Sequence, residues 1–235
     1  MKHLSIYLCG QKYFGALTLD MLWLLGYHIA GVSAPLSRTD GTPDRLWAKA
    51  RGYNIPILPA GMVNADTIPD GVDLIISAHS FDFIGRRTRL RAGLGAIGFH
   101  PSLLPIHRGR DAVRWAIHMG EKVTGGSVYW LDDNVDGGPI AAQDWCFIRP
   151  DDTASALWRR ELQPMGIRLF EQVIGDIDHG RLVRTPQNEI LATREPSWER
   201  PPLRRPDLLM LGPLPDGYRV IRERAETGRS AEKVG

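Results

Sequence analysis

The chain has 235 residues, of which 43% are hydrophobic and 24% charged, the balance of an ordinary folded domain. Its net charge of +2 excludes a strong attractive field for nucleic acid over the whole molecule. No run approaches the roughly 20 apolar residues that span a bilayer, and two cysteines exclude a disulfide framework.

The opening Met1 to Gly10 is too short an apolar run for a signal peptide and has no small-residue cleavage site, so it reads as a first strand and a cytoplasmic protein is expected. Leu4 to Leu8 carries the apolar run, and Ala16 to Leu25 then shows helical apolar spacing closed by Gly26. Tyr27 to Val32 predicts a second strand, Arg45 to Arg51 a second helix ended by Gly52, and Pro56 to Leu58 a short third strand. Val72 to Ser77 is almost wholly apolar, as expected of a strand buried on both faces. Ala96 to Phe99 follows as a strand, then Asp111 to Met119 as a helix stopped by Gly120. Gly126 to Leu131 and Ile140 to Ile148 alternate like paired strands. Thr153 to Ile177 predicts one long amphipathic helix, with Asp151, Asp152 and Thr153 at its N-terminus.

The β-α-β-α-β order of the first hundred residues implies an α/β, Rossmann-like fold. Its sheet is open, mostly parallel and twisted, with right-handed crossovers and helices on both faces. Composition changes near residue 194, where Pro196, Pro201, Pro202, Pro206, Pro213 and Pro215 crowd together. Proline fixes φ and lacks a donor, so we expect a catalytic domain over 1–194 and an extended Pro/Arg-rich arm over 195–235. The last residues are expected to fray, and the arm is a candidate for pairing two subunits.

The chemistry concentrates in two segments. Phe99 to Pro105 reads as a strand that ends on His100 and stops at Pro101. An imidazole there can move a proton near neutrality, although a histidine that only hydrogen-bonds within the core fits the same letters. Val135 to Ile140 reads as a glycine-rich loop presenting Asp136, although Asp-Gly is also a common hairpin turn. Arg108 and Arg110 are candidate ligands for an anionic substrate. Gly10 and Lys12 lie where the first strand opens into a helix, a place suited to anions. No Cys or His pair has metal-ligand spacing, so no metal is expected.

Together these segments resemble the folate-dependent formyltransferases, the family of glycinamide ribonucleotide, methionyl-tRNA and sugar-nucleotide formyltransferases. The resemblance rests on His100-Pro101-Ser102-Leu103-Leu104-Pro105, Arg108-Gly109-Arg110, Thr124-Gly125 and Asp136-Gly137-Gly138-Pro139-Ile140. It implies transfer of a formyl group from 10-formyltetrahydrofolate to an amine, with His100 and Asp136 catalytic. It also implies that Phe81, Asp82, Phe83 and Ile84, and the loop of Leu131, Asp132, Asp133, Asn134 and Val135, hold the pterin. The family's pattern places an asparagine two residues before the histidine, where this chain has Gly98. Losing one such donor to the formyl oxygen costs on the order of 3 kcal/mol of transition-state stabilisation. Either another side chain (His79, Ser80 and Arg110 are candidates), a substrate group or water fills the gap, or ordinary formyl transfer is lost. The expected acceptor is a small-molecule amine, with an amino-sugar nucleotide favoured, since too little chain follows residue 194 for a tRNA-binding barrel and no basic excess favours nucleic acid. A 10-formyltetrahydrofolate hydrolase and a folate-binding protein with weakened catalysis are the alternatives.

Overall fold

The computed structural model describes residues 4–198; of the arm expected over 195–235, residues 199–235 lie outside the described residues. Seven strands form one sheet in the order β3-β2-β1-β4-β5-β6-β7. They are β1 (Ser5–Gly10), β2 (His28–Ala34), β3 (Ile57–Pro59), β4 (Leu74–Ala78), β5 (Gly95–His100), β6 (Val123–Trp130) and β7 (Ile140–Phe147). The first five pair in parallel, and β6 and β7 add antiparallel at one edge. The strand order reverses between β1 and β4, which opens a crevice at their carboxyl ends. No helix among the described residues is long and apolar enough to cross a membrane.

Alternation along β4 assigns the two faces. Leu74, Ile76 and Ala78 enter the larger core, and Ile75 enters the smaller one with Tyr7, Cys9 and Ala96. The larger core lies under α1 (Lys12–Leu24), α2 (Arg45–Gly52) and α6 (Gln163–Asp178). On the other face the β4–β5 crossover contributes only the single turn α3 (Arg86–Arg89), which the apolar pattern of the sequence does not signal. The helix α4 (Ala112–His118) follows β5, with Asp111 at its N-cap position.

The long helix expected from Thr153 is present as a continuous run, but its middle is re-wound. It begins as α5 (Ala154–Leu157), passes through a π-helical turn at Trp158–Leu162, and continues as α6. Thr153 caps it by accepting from the Ala156 N–H. Asp152 serves differently from expectation: it pairs with Arg160 and accepts from the Arg149 N–H. Two glycines let an aromatic cluster close over β5. A Cβ at Gly166 would stand 2.8 Å from Phe14, and one at Gly126 would stand 2.5 Å from Phe99. Larger residues at either place would displace those rings.

Candidate active site

His100 is the last residue of β5 and Asp136 lies in the loop between β6 and β7. The sheet brings them together, with Nδ1 of His100 3.5 Å from a carboxylate oxygen of Asp136. Asp136 adopts a left-handed φ of 51°. Its carboxylate is fixed by two donors, the Tyr129 hydroxyl at 2.5 Å and the Gly109 N–H at 2.7 Å. The partner Tyr129 titrates well above the usual phenol range, because burial and the adjacent carboxylate both oppose its ionisation. Nε2 of His100 lies 2.7 Å from the His107 carbonyl. A carbonyl only accepts, so the neutral tautomer carries its proton on Nε2 and turns the Nδ1 lone pair toward Asp136. Burial lowers the His100 pKa, while Asp136 and the His107 carbonyl pull it back up. A buried neutral imidazole beside an oriented carboxylate is equipped to accept a proton on Nδ1 and hold the resulting charge.

The space beside Gly98 differs from what the missing asparagine called for. A Cβ there would meet Leu131 Cδ1 at 3.0 Å, Tyr129 Cε1 at 3.5 Å and Ser77 Cβ at 3.6 Å. His79, Ser80 and Arg110 are not among these neighbours. The Ser80 hydroxyl instead donates to Asp82, and Arg110 is exposed. Ser77, which pairs with Gly98 across β4 and β5, is the polar residue that sequence reasoning overlooked. Only register, which the letters do not carry, sets it there.

The residues expected around a pterin fall into two kinds. Phe81 and Phe83 are exposed, at 67% and 88%. Ile84 is buried in the smaller core, and Leu131 packs partly against that core. Asp82 anchors its loop by accepting from the Ser33 hydroxyl at 2.7 Å and the Gly61 N–H at 2.6 Å. Asp132 closes its own turn onto Asn134, and Val135 is exposed. Arg89 joins the two loops, donating to the Ile84 carbonyl at 3.0 Å and to Asp133 at 2.5 Å.

Arg108 is placed against the reading of an open anion ligand. It is buried, and its guanidinium donates to Gln187 and Glu189. An anionic substrate would have to displace Glu189. Gln187 in turn donates to the Asp136 and Gly138 carbonyls, so Arg108 braces the loop that carries Asp136.

The start of α1 is likewise occupied from within. The buried carboxylate of Asp44, the N-cap of α2, accepts from the Lys12 N–H at 2.9 Å and from the Leu46 N–H at 2.9 Å. One side chain therefore neutralises two helix N-termini, and Lys12 has no backbone donor left for a phosphate. Beside it opens a cavity of about 880 Å³ whose lining includes Gln11, Tyr13, Arg38, Arg45 and Phe81. The Arg45 guanidinium lies over the Tyr13 ring at 5.1 Å, and the buried Gln11 Nε2 meets no partner among the described residues. Neither Gln11 nor Arg38 carries a motif that would have marked it. Among the described residues no cluster of three or more His, Cys, Asp or Glu is arranged to hold a metal ion.

Residues 63–174 match the family model described as formyl transferase. The mitochondrial 10-formyltetrahydrofolate dehydrogenase of Mus musculus is 34% identical over 217 residues, covering 84% of this chain and 23% of that protein. GDP-perosamine N-formyltransferase of Brucella melitensis is 33% identical over 160 residues, covering 66% of this chain and 61% of that one. The chain thus spans about a quarter of the length of the dehydrogenases it matches. Two solved structures share the fold. Glycinamide ribonucleotide transformylase 1 from Symbiobacterium toebii has a TM-score of 0.65 at 24% identity, over 79% of this chain and 93% of that one. The N-formyltransferase from Helicobacter canadensis, in complex with folinic acid and dTDP-3-aminofucose, has a TM-score of 0.67 at 17% identity, over 82% and 70%.

Proposed function

We propose, for a chain that residues 63–174 place in the formyl transferase family, transfer of a formyl group from 10-formyltetrahydrofolate to the amine of a small molecule. The observation that carries this reading is the 3.5 Å approach of His100 and Asp136, two residues far apart in sequence, at the carboxyl edge of the sheet. The geometry supports the following roles. Asp136, held by Tyr129 and Gly109, orients and electrostatically supports the His100 ring. His100 handles the proton at the formyl centre. Phe81 and Phe83 offer exposed ring faces to the pterin. The acceptor belongs with the cavity of about 880 Å³, whose size and mixed aromatic and cationic lining suit a nucleotide-linked amino sugar.

The test is release of tetrahydrofolate from 10-formyltetrahydrofolate, measured with and without dTDP-3-aminofucose. Acceptor-dependent release is expected, and His100→Ala or Asp136→Asn should lower it on the order of 10²–10⁴-fold. Full activity in both variants defeats the site assignment. A second reading draws on the dehydrogenase relatives and on Gly98, which removes an amide from the reaction centre. On that reading water receives the formyl group, and release is the same with and without amine.

A further inference from the structure

The parallel pairing of β4 and β5 sets Ser77 beside Gly98. Alternation along the two strands gives both residues the same face of the sheet. Ile75 on β4 and Ala96 on β5 enter the smaller core, so Ser77 and Gly98, two residues further on, look to that side, and His100 follows Gly98 there. A Cβ at position 98 would crowd this face, standing 3.6 Å from Ser77 Cβ, 3.5 Å from Tyr129 Cε1 and 3.0 Å from Leu131 Cδ1. Glycine leaves the space open, with Ser77 to one side and Tyr129, whose hydroxyl holds Asp136, to the other. Ser77 is also the one residue of β4 that is not fully buried, while Leu74, Ile75, Ile76 and Ala78 are 0% exposed.

A formyl group attacked at its carbon gathers negative charge on its oxygen, and a fixed donor aimed at that oxygen lowers the barrier. The donors around His100 are nearly all committed elsewhere. His100 Nε2 faces the His107 carbonyl, and Nδ1 turns its lone pair toward Asp136. The Tyr129 hydroxyl and the Gly109 N–H both donate to the Asp136 carboxylate. The Gln187 amide donates to the Asp136 and Gly138 carbonyls, and the Arg108 guanidinium to Gln187 and Glu189. The Ser80 hydroxyl donates to Asp82. The Ser77 hydroxyl, by contrast, meets no partner among the described residues. It is unpartnered without being sealed in, so water or a ligand reaches it.

We infer that Ser77 is a catalytic residue of this chain, its hydroxyl donating a hydrogen bond to the formyl oxygen as the formyl carbon is attacked. The inference rests on the formyl-transfer reading above, and it holds whether an amine or water attacks. The attacking atom bonds to the formyl carbon, and one electron pair of the carbonyl bond moves onto the oxygen. Ser77 donates to that oxygen without giving up its proton. The pair returns as the bond from carbon to N10 of the folate breaks. His100 takes the proton that the attacking atom sheds, and N10 leaves with one proton, so the step balances without oxidant or reductant. A serine suits the place: its donor rides on a short stem from a strand flanked by β1 and β5, and needs little reorganisation at the moment of reaction. The amide that position 98 lacks is thus replaced from the neighbouring strand, by register alone.

The experiment compares wild type with Ser77→Ala, which removes the hydroxyl and little else. Tetrahydrofolate release from 10-formyltetrahydrofolate is followed with and without dTDP-3-aminofucose, and melting and folinic acid binding are measured alongside. The variant should melt with the wild type, since the hydroxyl has no partner to lose. It should bind folinic acid equally, keep its KM, and lose kcat on the order of 10²–10³-fold. A second readout needs no turnover. In His100→Ala loaded with 10-formyltetrahydrofolate carrying an isotope-labelled formyl group, the infrared carbonyl stretch should lie lower than in the His100→Ala/Ser77→Ala double variant, because a hydrogen bond weakens the carbonyl bond. A Ser77→Ala protein with the wild-type rate overturns the inference and leaves the formyl-transfer reading intact, as do equal stretches in the two loaded proteins. A drop in folinic acid affinity in step with the rate also overturns it, because Ser77 would then serve the pterin. Wild-type protein that releases no tetrahydrofolate under either condition overturns the formyl-transfer reading and the role of Ser77 together.

Discussion

An asparagine at position 98 would press on the Leu131 side chain. Leu131 and Tyr129 already stand within 3.0 Å and 3.5 Å of where its Cβ would be. Gly98→Asn should therefore destabilise the protein by about 1–3 kcal/mol, as overpacking does, without raising formyl transfer. Pairing it with Leu131→Ala opens the space and should recover most of that stability. Thermal melts of the single and double variants check this; equal melting temperatures for Gly98→Asn and wild type would sink it. The letters at this scale were only half informative. The His100 and Asp136 motifs carry turn and strand-end chemistry that reads directly from sequence. The filling of the Gly98 gap does not, because it depends on which side chains from β4 and β6 lie opposite.

At the scale of elements, a strap over residues 187–198 locks the loops that hold the proposed catalytic pair. The Arg108 N–H donates to the Thr193 carbonyl, the Thr193 N–H donates to the Pro105 carbonyl, and the Arg108 guanidinium grips Gln187 and Glu189. His107 lies between Glu121 and Glu195, 2.9 Å from each. Trp198 packs against Trp115 and His118 on α4. Arg108 is thus a positioning residue, acting through Gln187 on the Asp136 loop. Arg108→Leu should cost about 2 kcal/mol of stability, the scale of hydrogen bonds to a charged group. It should lower kcat while leaving the KM for the amine unchanged. A large rise in that KM with kcat intact would instead return Arg108 to the substrate. Strands and helices of regular period were legible here, including the capping of the 153 helix by Thr153. The strap was not, since Pro186 to Pro196 has no period and gains its order from partners far away in the chain.

At the scale of the whole molecule, the mixed sheet places β5 between β4 and β6 and seals His100 at its end, and that burial couples folding to pH. In the unfolded chain His100 titrates near the ordinary value of 6.5; in the folded chain burial lowers it. Between those two values the unfolded chain binds a proton that the native chain refuses. The stability gained from a neutral His100 is therefore fully present above pH 6.5 and drains away as pH falls through that window. Within the window the slope due to one such group is at most about 1.4 kcal/mol per pH unit. Urea midpoints of wild type should accordingly decline below pH 6.5. His100→Gln, whose amide can still donate to the His107 carbonyl, should flatten the decline while retaining the fold. Parallel declines in the two proteins would show that other groups govern acid stability. They would also remove the physical basis for treating His100 as a neutral proton acceptor at physiological pH.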